Sequence, residues 1–191
     1  MKAKLLLGNT IEDLLNKTAI DKITLKRILD ECGVSKQTFY RYFRDKYDLA
    51  NWRFSEIYFN ASSAVTPQMT FTESSICIYS GFKGKLTYLK NMYSSDDYNN
   101  LNRFMNLKLK SYFYEILKQN GFNIKNEEMI FLVDTWIYVI SENTKRWVMD
   151  DCKISKETVI KTFEIAMPDC IRICFERSNF FIPNSKIYKQ K

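Results

Sequence analysis

Apolar residues in this chain recur at intervals of three and four along most of its length, the period of helices packed on one side. Leu7, Ile11, Leu14 and Leu15 set a first amphipathic helix that closes near Lys17, with Ile20 and Ile23 packing at the turn that follows. Leu25, Ile28, Leu29 and Cys32 set a second, short helix. Thr24 suits its start, because a threonine hydroxyl accepts from the free N–H groups of a first turn. Gly33 suits its end, because glycine takes the left-handed conformation without penalty. Ser35 restarts the chain as an N-cap, so only a few residues separate this helix from a third over about 35–43. A fourth helix is predicted from about Lys46 to Ser62, with Leu49, Trp52, Arg53, Ile57 and Tyr58 alternating between core and surface.

Beyond it, residues 65–72 with Pro67 read as a loop, and a helix or broken pair follows over 73–92, interrupted near Gly81 and Gly84. A polar turn over 94–100, with Ser95 or Asp97 as the cap, leads to a long helix that starts at Leu101 and ends before Gly121. From Glu127 to about Met149 the apolar positions form two stripes: one with Met129, Val133, Trp136, Ile137, Ile140 and Trp147, the other with Phe131, Leu132, Tyr138 and Val139. A helix that is apolar on two sides has two partners. The last helix, from about Lys156 to Glu176, holds Pro168, which removes a backbone donor and is expected to kink or split it. The fold class is all-α.

Composition narrows the chemistry. The chain has 191 residues, room for one ordinary domain or for a small and a larger one sharing helices. It contains no histidine, so Ser-His-Asp and Cys-His catalysis and histidine metal ligation have no place in it. An enzyme on a helical bundle would have to work with carboxylates such as Glu115, Asp134 and Glu142, and single acids on helices are usually surface or capping residues. No catalytic residue, metal or cofactor is expected. Five cysteines, an odd number without a CxxC pair, suit reduced thiols in a cytosolic protein. Leu5 to Leu7 is too short for a signal-peptide core, and no apolar run approaches the roughly 20 residues of a membrane span. A cytoplasmic protein without a membrane partner is expected.

Charge is uneven. Residues 1–53 hold eleven Lys and Arg against seven Asp and Glu, residues 54–177 hold fifteen of each, and the last fourteen add Lys186, Lys189 and Lys191 with no acid. Basicity at the N-terminal end suits contact with nucleic-acid phosphates, the sequence-independent part of DNA affinity. A helix, a glycine-containing turn and a second helix at a steep angle make a helix-turn-helix, whose second helix normally enters the DNA major groove. Here that helix carries Lys36, Gln37, Thr38, Tyr40, Arg41 and Tyr42, mostly hydrogen-bond donors.

The string SKQTFYRYFRDKYDL, preceded by DKITLKRILDECGV, resembles the DNA-binding domain of the TetR family of transcriptional regulators. The matching positions are Gly33, Thr38, Phe39, Tyr40, Phe43, Lys46 and Leu49. Gln-Thr-Phe-Tyr and Asp-Lys-Tyr-Asp-Leu, followed by Trp52, are most similar to the branch that includes regulators of dihydroxyacetone kinase genes. The resemblance implies a three-helix DNA-binding domain over 1–48 and a larger helical regulatory and dimerisation domain over 49–191. The DNA-binding residues expected are Thr24, Ser35, Lys36, Gln37, Thr38, Tyr40, Arg41, Tyr42 and Lys46. Gln37 and Lys36, at the exposed start of the helix, suit adenine and guanine edges. Thr38 suits a thymine methyl or a phosphate, Arg41 either kind of contact, and Tyr40, Tyr42 and Lys46 look like the family's phosphate contacts. Residue 37 is often glycine in the wider family, so its base-reading role rests on Gln37 itself.

The resemblance also implies a homodimer on a palindromic double-stranded operator, and an effector pocket in the body. A small apolar or aromatic effector would meet Tyr79, Phe82, Tyr88, Phe104, Tyr112 and Trp136. The dimer interface is expected at Trp136, Ile140, Trp147, Phe163, Met167, Cys170 and Cys174. These expectations lead to a dimeric repressor released from its operator by a small molecule, the alternative being a switch by a protein coactivator.

Overall fold

The structure is a computed structural model describing residues 2–66 and 68–177. Pro67 of the expected loop and the basic tail with Lys186, Lys189 and Lys191 lie outside the described residues. Among the described residues all regular structure is helical: α1 (Lys2–Leu15), a 3-10 turn (Ile20–Lys22), α2 (Leu25–Cys32), α3 (Lys36–Tyr42), α4 (Lys46–Ser62), α5 (Phe71–Ser80), α6 (Leu86–Tyr93), α7 (Leu101–Gln119), α8 (Glu127–Met149), α9 (Lys156–Ile165) and α10 (Asp169–Arg177). None of these helices is long and apolar enough to cross a membrane.

Local chemistry sets the N-terminal boundaries. Thr24 Oγ1 accepts from the Arg27 N–H at 3.2 Å and starts α2. Gly33 ends it with φ +66°, its N–H donating to the Leu29 carbonyl at 2.8 Å. Ser35 Oγ accepts from Thr38 N–H at 3.2 Å and Asp45 Oδ1 from Asp48 N–H at 2.8 Å, which starts α3 and α4. The fully buried Leu7, Ile11, Ile20, Ile28, Phe39 and Leu49 hold α1 to α4 together. Each such side chain contributes roughly 1.5–3 kcal/mol through burial. Helix α1 crosses α4 at Gly8, where a Cβ would stand 2.6 Å from Trp52 Cζ3, so no larger residue fits this contact unless the indole moves.

Helix α4 carries the same core into the body. The first cluster continues from Leu49, Ala50 and Phe54 into Tyr88, Leu89, Met92 and Tyr93 of α6. A second cluster lies among α7, α8, α9 and α10, around Phe113, Leu117, Val133, Trp136, Ile137 and Phe163. Asn100, rather than Ser95 or Asp97, caps α7: its side chain accepts from Arg103 N–H at 2.9 Å. Ser95 Oγ serves the preceding turn, accepting from Asp97 N–H at 3.1 Å. Pro168 splits the last predicted helix into α9 and α10, with its carbonyl accepting from Ile171 and Arg172 N–H at 3.0 Å in the first turn of α10.

The two stripes of α8 face different ways. Trp136, Ile140, Phe163, Met167 and Cys174 are buried within the monomer, and Trp147 and Cys170 are half-buried against its cores. Trp136 Nε1 donates to the Phe163 carbonyl at 2.9 Å, and its ring meets Phe113 edge-on at 4.9 Å. The tryptophan stripe therefore faces inward, where the large rings remove most apolar area from water. The other stripe is left outside: Phe131 is 73 % exposed, Tyr138 59 % and Leu132 51 %.

Candidate functional site

Helix α3 is seven residues long and is held from beneath by Phe39, fully buried, and Phe43 just beyond it, with ring centroids 5.9 Å apart. Phe43 also packs on Trp52 of α4 at 5.4 Å. These rings fix the helix so that Lys36, Gln37, Tyr40 and Arg41 all stand exposed. Lys36 Nζ lies 6.0 Å from the Tyr40 ring, and the Arg41 guanidinium 5.2 Å from the Tyr42 ring. Arg44 follows directly with a side chain 88 % exposed, near Asp48 at only 3.7 Å. It was not among the expected residues, although a basic residue one step past the exposed helix was a readable signal.

The other expected residues serve the framework. Thr24 and Ser35 hydroxyls cap their helices, and Ser35 Oγ also donates to Thr38 Oγ1 at 3.0 Å, which occupies both side chains. Tyr42 is half-buried against the core. Lys46 bends back: its ammonium donates to the carbonyls of Asp21 at 3.1 Å and Ile23 at 2.8 Å. Tyr47 adds a bond from its hydroxyl to Asp21 at 2.7 Å. The start of α4 is thereby tied to the turn before α2.

A cavity of about 590 Å³ opens in the body between α4, α5, α7, α8 and α9. Tyr79, Phe82 and Tyr112 stand in its wall. Tyr88, Phe104 and Trp136 do not. Tyr88 is fully buried in the first core beside Glu12 and Arg53, its hydroxyl without a partner among the described residues. Phe104 packs under Lys108, 5.4 Å from its ammonium, at a small crevice on the α4–α7 seam. Trp136 is spent in the second core. Instead α4 supplies Phe54 and Tyr58, and α8 supplies Ile140, Thr144, Trp147 and Val148, one face at helical spacing. Ile140, Trp147 and Phe163, expected at a dimer contact, thus line this cavity.

The wall is chemically quiet. Tyr79 donates to or accepts from Thr144 Oγ1 at 2.6 Å, and burial pushes its phenol up to about 12 despite that bond. Burial likewise raises Tyr93 and Tyr112. Thr144 and Ser141 donate to the carbonyls of Ile140 and Ile137, 2.7 and 3.1 Å away. The carboxylates weighed for catalysis do not converge: Asp134 accepts from Lys110 and Tyr114, Glu142 from Asn102, and Glu115 from Gln119. Among the described residues no three Cys, Asp or Glu form a cluster suited to a metal.

One ionic knot joins the two parts. Glu12 of α1 accepts from Arg53 of α4 at 2.6 Å and from Lys85, the last residue of the α5–α6 loop. Burial alone would raise the Glu12 carboxyl, but hydrogen bonds from Lys85 and Arg53, and their charges, outweigh it and hold it below its usual range. Gly84, one residue before Lys85, lines the cavity.

A braced helix-turn-helix with an exposed polar helix, continued by α4 into a helical body with a large apolar cavity, defines the class of DNA-binding transcriptional regulators. Residues 9–51 match the family described as bacterial regulatory proteins, tetR family, and residues 72–169 match a transcriptional regulator C-terminal region. The chain belongs to the tetR family. Its fold is similar to that of the dihydroxyacetone kinase operon activator DhaS, with a TM-score of 0.58 at 15% identity, covering 90% of this chain and 97% of that one. No curated protein matches the sequence.

Proposed function

We propose that this chain is a homodimeric repressor that reads a palindromic operator and is released from it by a small molecule held in the body cavity. The observation that carries the reading is the single exposed face of α3, where Lys36, Gln37, Tyr40 and Arg41 stand clear while the residues around them hold the helix. Lys36 and Gln37 lie at the end of α3 that enters the groove and read base edges. Tyr40, Arg41 and Arg44 lie further along and hold phosphates, with Thr24, Ser35, Thr38, Tyr42 and Lys46 placing the helix. Residues 1–48 act as the reading unit and 49–191 as the regulatory unit, with α4 shared between them. Such a protein works in the cytoplasm, where its operator is.

Dimerisation supplies the second reading head, because one short helix contacts too few bases for specificity and paired heads read half-sites roughly 34 Å apart. The outward stripe of Phe131, Leu132 and Tyr138, with Ile165 of α9 70 % exposed, is the surface for it. Phe54 and Tyr58 line the cavity from α4, whose start is tied to the reading unit through Lys46. A ligand that prefers one position of α4 therefore biases the spacing of the heads, typically by about 1–3 kcal/mol. The test is Gln37→Ala beside Arg41→Ala in binding titrations over a range of salt. Gln37→Ala should relax preference at one base pair, by roughly 1–3 kcal/mol. Arg41→Ala should weaken all sequences alike and reduce the salt slope by about 1. An unchanged sequence preference in Gln37→Ala would remove its reading role.

A further inference from the structure

Among the described residues the cavity is lined by no aspartate or glutamate, and its only charged side chains there are Lys83 and Lys156. Both belong to segments that adjoin Trp147 of α8. Lys83 follows the C-terminus of α5, whose Tyr79 packs on Trp147 at 5.7 Å. Lys156 opens α9 just beyond Ile154, the residue whose carbonyl accepts from Trp147 Nε1 at 2.7 Å. Lys83 has no ion-pair partner among the described residues. Among the described residues Lys156 pairs with its neighbour Glu157, at 2.9 Å, a half-exposed carboxylate that does not line the cavity. The acids of the nearby α8–α9 turn are already held: Asp151 by Lys90 at 2.8 Å and Asp150 by Lys153 at 2.7 Å. Lining residues run along the whole of α5, from Phe71 to Ser80, a span of about 15 Å at 1.5 Å per residue. The hydroxyls of Tyr79, Ser80, Ser141 and Thr144 are bonded to helix carbonyls or to one another, and most of the remaining wall is aromatic and aliphatic.

We propose that the ligand is an elongated apolar molecule with a single anionic head, a carboxylate beside Lys83 and Lys156 and its apolar chain along α5. This rests on the reading of the cavity as the effector site. A buried carboxylate needs a cation beside it, and an apolar chain needs a wall without charge. A cationic ligand would meet two lysines and no acid.

The experiment compares dodecanoate, dodecanol and dodecyltrimethylammonium by calorimetric titration into the full chain, with Lys83→Gln/Lys156→Gln as the variant. Dodecanoate should bind at least tenfold more tightly than dodecanol, and the cation should bind more weakly than either. The double variant should lose about tenfold for dodecanoate and keep its affinity for dodecanol, which also shows that it is folded. Equal affinity for acid and alcohol, preference for the cation, or no loss in the variant would overturn the proposal. Operator release is read separately. If dodecanoate binds with this lysine dependence but leaves the DNA complex intact, the ligand class stands and the repressor reading fails. If dodecanol and dodecanoate bind alike and both release DNA, the reverse holds.

Discussion

Glu12→Gln tests the joint between the reading unit and the body. Glu12 is 8 % exposed and accepts from two cations on different elements, Arg53 of α4 and Lys85 at the end of the α5–α6 loop. Removing one partner of a fully buried ion pair costs about 3–5 kcal/mol. Here the side chains of Arg53 and Lys85 keep 22% and 33% of their exposure, so both rehydrate in part and the amide still accepts from one of them. The expected loss is therefore about 2 kcal/mol, or a fall in Tm of roughly 4–8 °C for a chain of this length. The sign with pH follows from the lowered carboxyl. Its stabilisation is fully present above 4.5, the ordinary value, and disappears as pH falls through the lower folded value. Thermal melts of both proteins, followed by circular dichroism from pH 7 downwards, should show a gap that closes below about pH 4.5. A gap that is absent at pH 7, or that stays constant into acid, would refute the ionic knot.

Lys46→Ala removes two bonds to carbonyls and should cost about 1–2 kcal/mol of stability, read by urea denaturation, while lowering affinity for every DNA sequence equally. A change in sequence preference would contradict its placing role. Tyr138→Asp, alone or with Phe131→Asp, sets charge on the outward stripe of α8 and should shift the chain from dimer to monomer in sedimentation equilibrium with no loss of helicity. A persisting dimer would move the interface elsewhere.

Much of the fold was legible because helix boundaries are local chemistry. Thr24, Gly33, Ser35 and the Lys46–Ser62 span could be read from a few adjacent residues, since caps and left-handed glycines act within one turn. The cap of α7 was misplaced because Ser95, Asp97 and Asn100 are all good capping types, and only the geometry selects Asn100. The facing of α8 was not legible, as both of its stripes are apolar and periodicity reports that a helix has two faces without saying which is inside. Lys46 shows the limit for the site. Its partners lie at Asp21 and Ile23, and no local pattern tells a lysine at a helix start whether it will find phosphate or carbonyls. The aromatics of the body divide in a way no local pattern shows: Tyr79, Tyr88 and Trp136 are alike in sequence, yet Tyr79 lines the cavity while Tyr88 and Trp136 are buried in different cores.

Selection of bound duplexes from a random DNA pool at moderate salt tests the central claim most directly. The account predicts enrichment of a two-fold symmetric site whose half-site centres are roughly one helical turn apart, or a multiple of it. A pool that remains random, or yields a single asymmetric site, would contradict it.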